Sequence, residues 1–253
     1  MIPSSTFNTI VIWWIIAGLI IFPFTLSITV PYGRHTKKGW GPLISNRAGW
    51  IIMEAPVLIL IAALVIAGST EKSFLTWIFL SLFLIHYINR VFIYPFRTRT
   101  KGKKMPISIM LMAISFNVMN GFLNGYWFGY LSPAYPLSWL WDPRFILGIL
   151  LFFAGMVINI RSDRTLMHLR HGGQTGYFIP YGGLFRYVSC PNFFGEILEW
   201  SGFALMTWCL PTFSFLLWTI INLVPRALDH HRWYKRTFTD YPKERKALIP
   251  FLL

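Results

Sequence analysis

Asn159, Asp163 and Arg170 recur at intervals of four and seven, so a helix through them presents an amide, a carboxyl and a guanidinium on one face. Asn192, Glu196 and Glu199 repeat the pattern just after Pro191, a residue suited to the first helical position. Arg226, His230 and Tyr234 do so a third time near the C-terminus. Two carboxyls inside an apolar helix cost about 2.5–3.5 kcal/mol each on insertion scales, so Glu196 and Glu199 point to a function or to pairing. Asp163 and Arg170 equally suit an ordinary surface pair, and His230 with His231 suits a basic juxtamembrane patch. A further group lies earlier in the chain. Glu54 is the only acid in a stretch that includes Ile51, Ile52, Met53 and Val57, while His86, Tyr87, Asn89 and Arg90 interrupt an aliphatic and aromatic run. A buried carboxyl holding a buried tyrosine builds a hydrogen-bond donor toward a carbonyl oxygen that gains negative charge during reaction. The same residues could make an interhelical hydrogen bond that only fixes packing, and spacing leaves both readings open.

The elements that must carry these side chains are membrane spans. Of the 253 residues 55% are hydrophobic and only 13% charged, against about a quarter charged in soluble domains. The apolar residues form runs of about 20 rather than a one-sided stripe. Seven spans are predicted: 9–30, 50–68, 74–94, 106–130, 145–160, 193–210 and 212–224, the last two parted by Pro211 as a tight hairpin. The run 9–30 lacks a preceding basic stretch and a following small-residue cleavage site, so it reads as a span and not as a cleaved signal.

Basic residues set the orientation. Arg34, Lys37, Lys38 and Arg47 follow span one; Arg97, Arg99, Lys101, Lys103 and Lys104 follow span three; Arg161, Arg164, Arg170 and Arg186 follow span five. The tail adds Arg226, Arg232, Lys235, Arg236, Lys243, Arg245 and Lys246, against Lys72 and Arg144 on the opposite side. The positive-inside rule then puts the C-terminus in the cytosol and the N-terminus outside it. The net charge of +14 follows from this topology and from anionic lipid headgroups as partners, with no nucleic acid implied. Cys190 and Cys209 have no metal-ligand or redox spacing, so no metal is expected. The segment with Gly172, Gly173, Gly176, Gly182 and Gly183 lacks a GxGxxG after a strand, which excludes a Rossmann site.

The chain therefore reads as one all-α integral membrane domain, 1–253. Residues 1–158 form mainly scaffold and substrate side. Residues 159–253 interleave polar groups with apolar runs and form the side where a soluble, charged cofactor would arrive from the cytosol.

The string from Gly182 to Ser189 (GGLFRYVS), the string from Pro191 to Trp200 (PNFFGEILEW), the run His230 to Tyr234 (HHRWY) and the closing Asp240 to Phe251 (DYPKERKALIPF) resemble the steroid 5α-reductase family. Tyr32 to Thr36 (YGRHT) and His86-Tyr87 with Arg90 fall where that family has similar residues, so the likeness spans most of the chain. The resemblance implies a seven-helix fold and an NADPH-dependent reduction of the carbon–carbon double bond of a 4-ene-3-oxo steroid or similar lipid enone. It implies that Asn159, Asp163, Arg170, Tyr177, Asn192, Glu196, Arg226, His230, Tyr234 and Arg245 contact the cofactor, with Arg170, Arg226 and Arg245 suited to its phosphates. It implies that Glu54 and Tyr87 hold the substrate's carbonyl oxygen. Met53 stands where steroid-reducing members carry glutamine, which bears on substrate identity more than on reaction type. The membrane would be the inner one for a bacterial chain and the endoplasmic reticulum for a eukaryotic one.

Three rivals remain at this stage. An isoprenylcysteine-type methyltransferase leaves the arginines and the Glu54–Tyr87 pair without a role; a polyprenal or enoyl-thioester reductase keeps the reaction class; a lipid transporter also buries carboxylates.

Overall fold

The computed structural model describes residues 1–29, 39–98, 102–169 and 176–253. Arg170 and the Tyr32–Thr36 string lie outside the described residues. The helices run in chain order as α1 (Ser4–Ser27), α2 (Asn46–Ala67), α3 (Phe74–Ile88), α4 (Tyr94–Arg97), α5 (Ile107–Tyr126), α6 (Pro143–His168), α7 (Pro191–Thr207) and α8 (Leu210–Thr237). A short antiparallel ribbon, β1 (Leu43–Ser45) with β2 (Lys104–Pro106), pairs Ile44 with Met105 and joins the segments that lead into α2 and α5.

Among the described residues, five helical segments are long and apolar enough to cross a membrane: Ser4–Ser27, Asn46–Ala67, Phe74–Arg97, Ile107–Leu131 and Pro143–His168. Their outward faces carry large apolar side chains such as Trp13, Phe24, Ile59, Ile66 and Leu150, the surface expected of an integral membrane protein. The predicted runs 193–210 and 212–224 are helices α7 and α8. Their boundary, however, is set differently from the sequence reading. Pro211 does not separate the two helices; it sits in the first turn of α8, where its missing N–H has no helical partner to lose. The turn is made by Trp208, whose φ of 46° and ψ of 47° place it in the left-handed region that ends α7.

Two glycine seams fix the frame. On α6 and α7, which run antiparallel, Gly148 meets Gly202 and Gly155 meets Gly195. A methyl group added at Gly195 would lie 2.6 Å from the Asn159 nitrogen and 2.7 Å from the Gly155 oxygen. On α5, Gly121 packs against Val57 and Gly125 against Ile61, so α2 and α5 run side by side in the same direction. Lipid offers no hydrophobic gain for helix pairing, so this close backbone approach is what holds each pair. Gly155→Val should therefore destabilise the detergent-solubilised protein by about 1–3 kcal/mol, because the added atoms meet backbone that cannot swing aside. A melting temperature equal to the parent's would show that the seam can open at no cost.

Between the two pairs lies an aromatic core of Phe79, Phe83 and Tyr87 from α3, Phe152 from α6, Trp200 and Phe203 from α7, and Phe215 from α8. Helix α8 joins α1 as well, through Trp14 stacked on Trp218 at 4.4 Å and the Trp218 indole N–H donating to the Trp14 carbonyl at 3.1 Å. Pro225 frees the Ile221 carbonyl inside α8, and the Thr25 hydroxyl of α1 approaches it at 3.5 Å. At the opposite end, Asp142 caps α6 through the Arg144 N–H at 2.8 Å and pairs with the Arg144 guanidinium at 2.7 Å. Those bonds hold its carboxyl down at about 2.

Candidate active site

Span three is one continuous run in the sequence, yet the structure interrupts it. Residues Asn89–Ile93 form a π turn, closed by the Tyr94 N–H bonding to the Asn89 carbonyl five residues back. Pro95 explains the irregularity. It has no N–H to give, so the Arg90 carbonyl would go unpaired, and the Trp50 indole of α2 donates to it at 3.0 Å. The wide turn aims Arg90 across the bundle. Its guanidinium lies 4.6 Å from the Trp50 ring centroid and 4.9 Å from that of Tyr94, and its Nη2 is 3.8 Å from Glu54 Oε1. Glu196 and Asp163 also fall within its electrostatic reach.

The two carboxyls of that second pair come from the α6–α7 seam. Asn159 donates to the Asn192 carbonyl at 3.0 Å and reaches Glu196 Oε2 at 3.4 Å; Asn192 donates to Asp163 Oδ1 at 3.0 Å. The glycine contacts bring the backbones close enough for these short amide arms to span. Four residues named from spacing thus form one interlocked set, and Glu54 joins it through Arg90. Asn117 of α5 fixes Glu54 from the other side, donating to the Met53 carbonyl at 2.6 Å and to Glu54 Oε2 at 3.4 Å.

Tyr87 lies against this set, 5% exposed, its ring stacked on Phe83 at 5.0 Å and tilted over Trp200 at 6.0 Å. Its hydroxyl makes no hydrogen bond among the described residues, although Glu54, Glu196, Arg90 and Glu199 are within electrostatic reach. Glu199 leaves the stripe it shares with Asn192 and Glu196: its Oε1 lies 2.9 Å from His86 Nδ1, in a fully buried pair that ties α7 to α3.

Of the other residues expected at the cofactor, Arg226, His230 and Tyr234 lie in the C-terminal half of α8 and Arg245 on the strap that follows it. Arg226 covers the Phe193 ring at 5.5 Å, and His230 stacks on the same ring at 5.7 Å, so both face α7 next to Asn192. Tyr234 is buried and stacks on Tyr241 at 5.2 Å. Burial pushes the Tyr241 hydroxyl up from its ordinary value. Arg245 is only 3% exposed; its Nη1 donates to the Pro180 carbonyl at 3.0 Å, its guanidinium lies 5.0 Å from the Tyr181 ring, and its Nε has no hydrogen-bond partner among the described residues. The C-terminal strap holds it there, with the Ser189 N–H bonding to the Lys246 carbonyl at 2.9 Å and Cys190 N–H to Ala247 at 3.1 Å. Tyr177 lies edge-on to Trp233 at 5.2 Å with Lys103 over its ring.

Sequence reasoning assigns no role to Arg90, Asn117 or Trp50. An arginine inside an apolar span was the available signal for the first, and an asparagine repeat at 117, 120 and 124 for the second; Trp50 gives none, because its part follows from Pro95.

A polytopic membrane bundle with a carboxyl-rich, arginine-centred cluster between its two helix pairs is the framework of a membrane-embedded enzyme. A family model for 3-oxo-5-alpha-steroid 4-dehydrogenase matches residues 103–253. The chain is 43% identical over 243 residues to steroid 5-alpha-reductase DET2 of Gossypium hirsutum, covering 92% of this chain and 93% of the relative. It is 42% identical over 237 residues to 3-oxo-5-alpha-steroid 4-dehydrogenase 1 of Homo sapiens, covering 93% and 91%. It is 43% identical over 225 residues to 3-oxo-5-alpha-steroid 4-dehydrogenase 2 of Sus scrofa, covering 87% of each chain. The chain belongs to the steroid 5-alpha-reductase family of oxidoreductases.

Proposed function

We propose that this protein reduces the carbon–carbon double bond of a 4-ene-3-oxo steroid, or of a lipid enone of similar shape, with NADPH. The observation that carries the reading is the junction of Glu54, Arg90, Asp163 and Glu196 beside the unbonded Tyr87 hydroxyl, inside a bundle otherwise lined by aromatic and aliphatic side chains.

The residues present fit a phosphate-bearing nicotinamide cofactor. Arg245 is a buried cation whose Nε has no partner among the described residues, a donor suited to a phosphate oxygen. Arg226 and Arg170 would serve the same end, and Asn159, Asp163, Asn192, Glu196, Tyr177, His230 and Tyr234 would line the rest of the site. When bound, the cofactor supplies a hydride. Tyr87 donates a hydrogen bond to the substrate's carbonyl oxygen, withdrawing charge from the conjugated β-carbon and stabilising the oxygen as it becomes an enolate. Glu54, held between Arg90 and Asn117, makes no hydrogen bond to Tyr87 in this structure but lies within electrostatic reach of its hydroxyl, and would orient that donor once the substrate is bound. The aromatic core around Phe83, Trp200 and Phe215 excludes water from the apolar skeleton. Saturable NADPH binding to the purified protein, followed by loss of nicotinamide absorbance on adding a 4-ene-3-oxo steroid, tests the reading. Absence of NADPH binding would overturn it.

In this reading the chain crosses the membrane seven times, α7 and α8 included, with the N-terminus outside the cytosol and the C-terminus inside. The membrane is the endoplasmic reticulum in a eukaryotic cell or the inner membrane in a bacterium. The basic residues after spans one, three and five and in the tail support that topology. A reporter active only in the cytosol, fused after Leu253, should be active; activity of a periplasmic or lumenal reporter at that position would refute the orientation.

A further inference from the structure

One polar cluster lies outside the set expected at the cofactor. Ser189 precedes α7, His231 lies on α8 and Tyr241 opens the C-terminal strap, so three separate elements supply it. The Ser189 Oγ is 2.6 Å from His231 Nδ1 and 2.7 Å from the Tyr241 hydroxyl. Ser189 and Tyr241 are buried and His231 is half-buried. Burial and the cations of Lys235 and Lys246 push the imidazole down from its ordinary value, so it is neutral at pH 7. With its proton on Nε2, the ring accepts at Nδ1 from the Ser189 hydroxyl, which accepts in turn from Tyr241, and both hydroxyl protons are used.

The cluster holds the backbone and the ring against which Arg245 is set. Lys246, the next residue, is bound at both peptide groups: its N–H donates to the Tyr187 carbonyl at 2.9 Å, and its carbonyl accepts from the Ser189 N–H at 2.9 Å. The Ser189 Oγ lies 3.2 Å from the same carbonyl. Tyr241 reaches Arg245 directly, its ring centroid 5.2 Å from the guanidinium, and it stacks on Tyr234 at 5.2 Å with 9° between the planes. One serine therefore ties the peptide beside Arg245 to the aromatic face on which the guanidinium lies. An arginine side chain carries much rotamer freedom, so fixing its stem and its flat face lowers the ordering cost of a phosphate contact.

We infer that Ser189, His231 and Tyr241 are positioning residues for the cofactor, joined in one hydrogen-bonded knot that acts on the cofactor's phosphate through Arg245. The role rests on the proposed NADPH reading and on the place of Arg245 in it. A knot that only fastened the strap would support the fold and leave phosphate affinity alone. A positioning knot sets the affinity and does so solely by way of the guanidinium.

Direct NADPH titration of the full-length protein in detergent, read beside the melting temperature of the cofactor-free protein, tests the role. Ser189→Ala removes the hub of the knot, whereas Tyr241→Phe keeps the ring against Arg245 and Tyr234 and removes only the phenolic oxygen. Each should raise the NADPH dissociation constant about three- to tenfold, the effect of roughly one hydrogen bond. His231→Leu should do the same, and His231→Asn, whose short amide reaches the place of Nδ1, should recover most of the affinity. In an Arg245→Ala background these substitutions should weaken NADPH no further, because their route to the phosphate is gone. Equal losses in the two backgrounds would refute action through Arg245. Folded Ser189→Ala and Tyr241→Phe proteins with parental dissociation constants and lowered melting temperatures would reduce the knot to a fastening of the strap. If Ser189→Ala does not fold, Tyr241→Phe and the His231→Leu and His231→Asn pair decide by the same criteria. A parent protein that binds no NADPH would overturn the cofactor reading itself, and this role with it.

Discussion

Replacing Tyr87 by phenylalanine is expected to slow single-turnover reduction of a 4-ene-3-oxo steroid by a factor of about 100 to 1000, the usual loss of about 2.7–4 kcal/mol when one oxyanion donor is removed. Substrate binding should weaken far less, because the hydrogen bond strengthens only as the oxygen gains enolate charge. The structure makes the experiment unusually clean. The Tyr87 hydroxyl has no hydrogen bond within the described residues, and its ring is held by Phe83 and Trp200. Phenylalanine keeps both ring contacts and removes no native bond, so the melting temperature should stay within the scatter of ordinary surface variants. A purely structural tyrosine would behave in the opposite way, losing stability and keeping its turnover per folded molecule. Parental NADPH consumption by Tyr87→Phe would end the proposed chemistry and leave the family and fold intact.

Glu54→Gln probes the same pair from its other side. The amide keeps the contact with Asn117 but removes the charge facing Arg90, which then turns to Glu196 and Asp163. Turnover should fall with NADPH affinity nearly unchanged, since the phosphate-suited arginines Arg226 and Arg245 lie on α8 and the C-terminal strap.

How far the sequence discloses this site depends on what kind of contact makes it. Asn159, Asp163, Asn192 and Glu196 are legible because helical periodicity alone puts each pair on one face, and a membrane interior makes a polar stripe conspicuous. What periodicity cannot supply is the distance between α6 and α7. That follows from Gly155 and Gly195 meeting backbone to backbone, a pairing between residues forty positions apart. Glu199 shows the opposite failure: it shares a face with Glu196 yet binds His86, because a buried stripe can meet two neighbouring helices along its length. The π turn at Asn89–Ile93 is invisible for a third reason. Pro95 announces a disturbance, but the choice of a wide turn over a kink depends on Trp50 being present to satisfy the Arg90 carbonyl. Pro211 misleads in the same manner, since a proline in the first turn of a helix and a proline between helices look alike in sequence.

Arg245 carries the second large expectation, because it is a nearly buried cation whose Nε has no hydrogen-bond partner among the described residues. Its Nη1 is committed to the Pro180 carbonyl and its flat face to Tyr181 and Tyr241, at 5.0 and 5.2 Å, so the guanidinium is already oriented before any ligand arrives. Preorganisation of this kind reduces the ordering cost of a phosphate contact. Losing one charge-assisted contact costs about 1.5–3 kcal/mol, which is a rise in NADPH dissociation constant of roughly ten- to 150-fold. Arg245→Ala should show that rise by direct titration, and Arg170→Ala should weaken NADPH in the same direction. Because Arg245 also ties the C-terminal strap to the Pro180 segment, the alanine variant alone would not separate binding from support. Arg245→Lys does so: it keeps the positive charge and most of the buried chain but loses the planar fork that fits two phosphate oxygens. A binding role therefore predicts weakened NADPH affinity in Arg245→Lys at a parental melting temperature. A supporting role predicts lowered melting temperature and an affinity that recovers wherever the protein is folded. If folded Arg245→Lys and Arg245→Ala both titrate with the parent's dissociation constant, the spare Nε belongs to something other than a phosphate, and the cofactor site must be sought nearer Arg226.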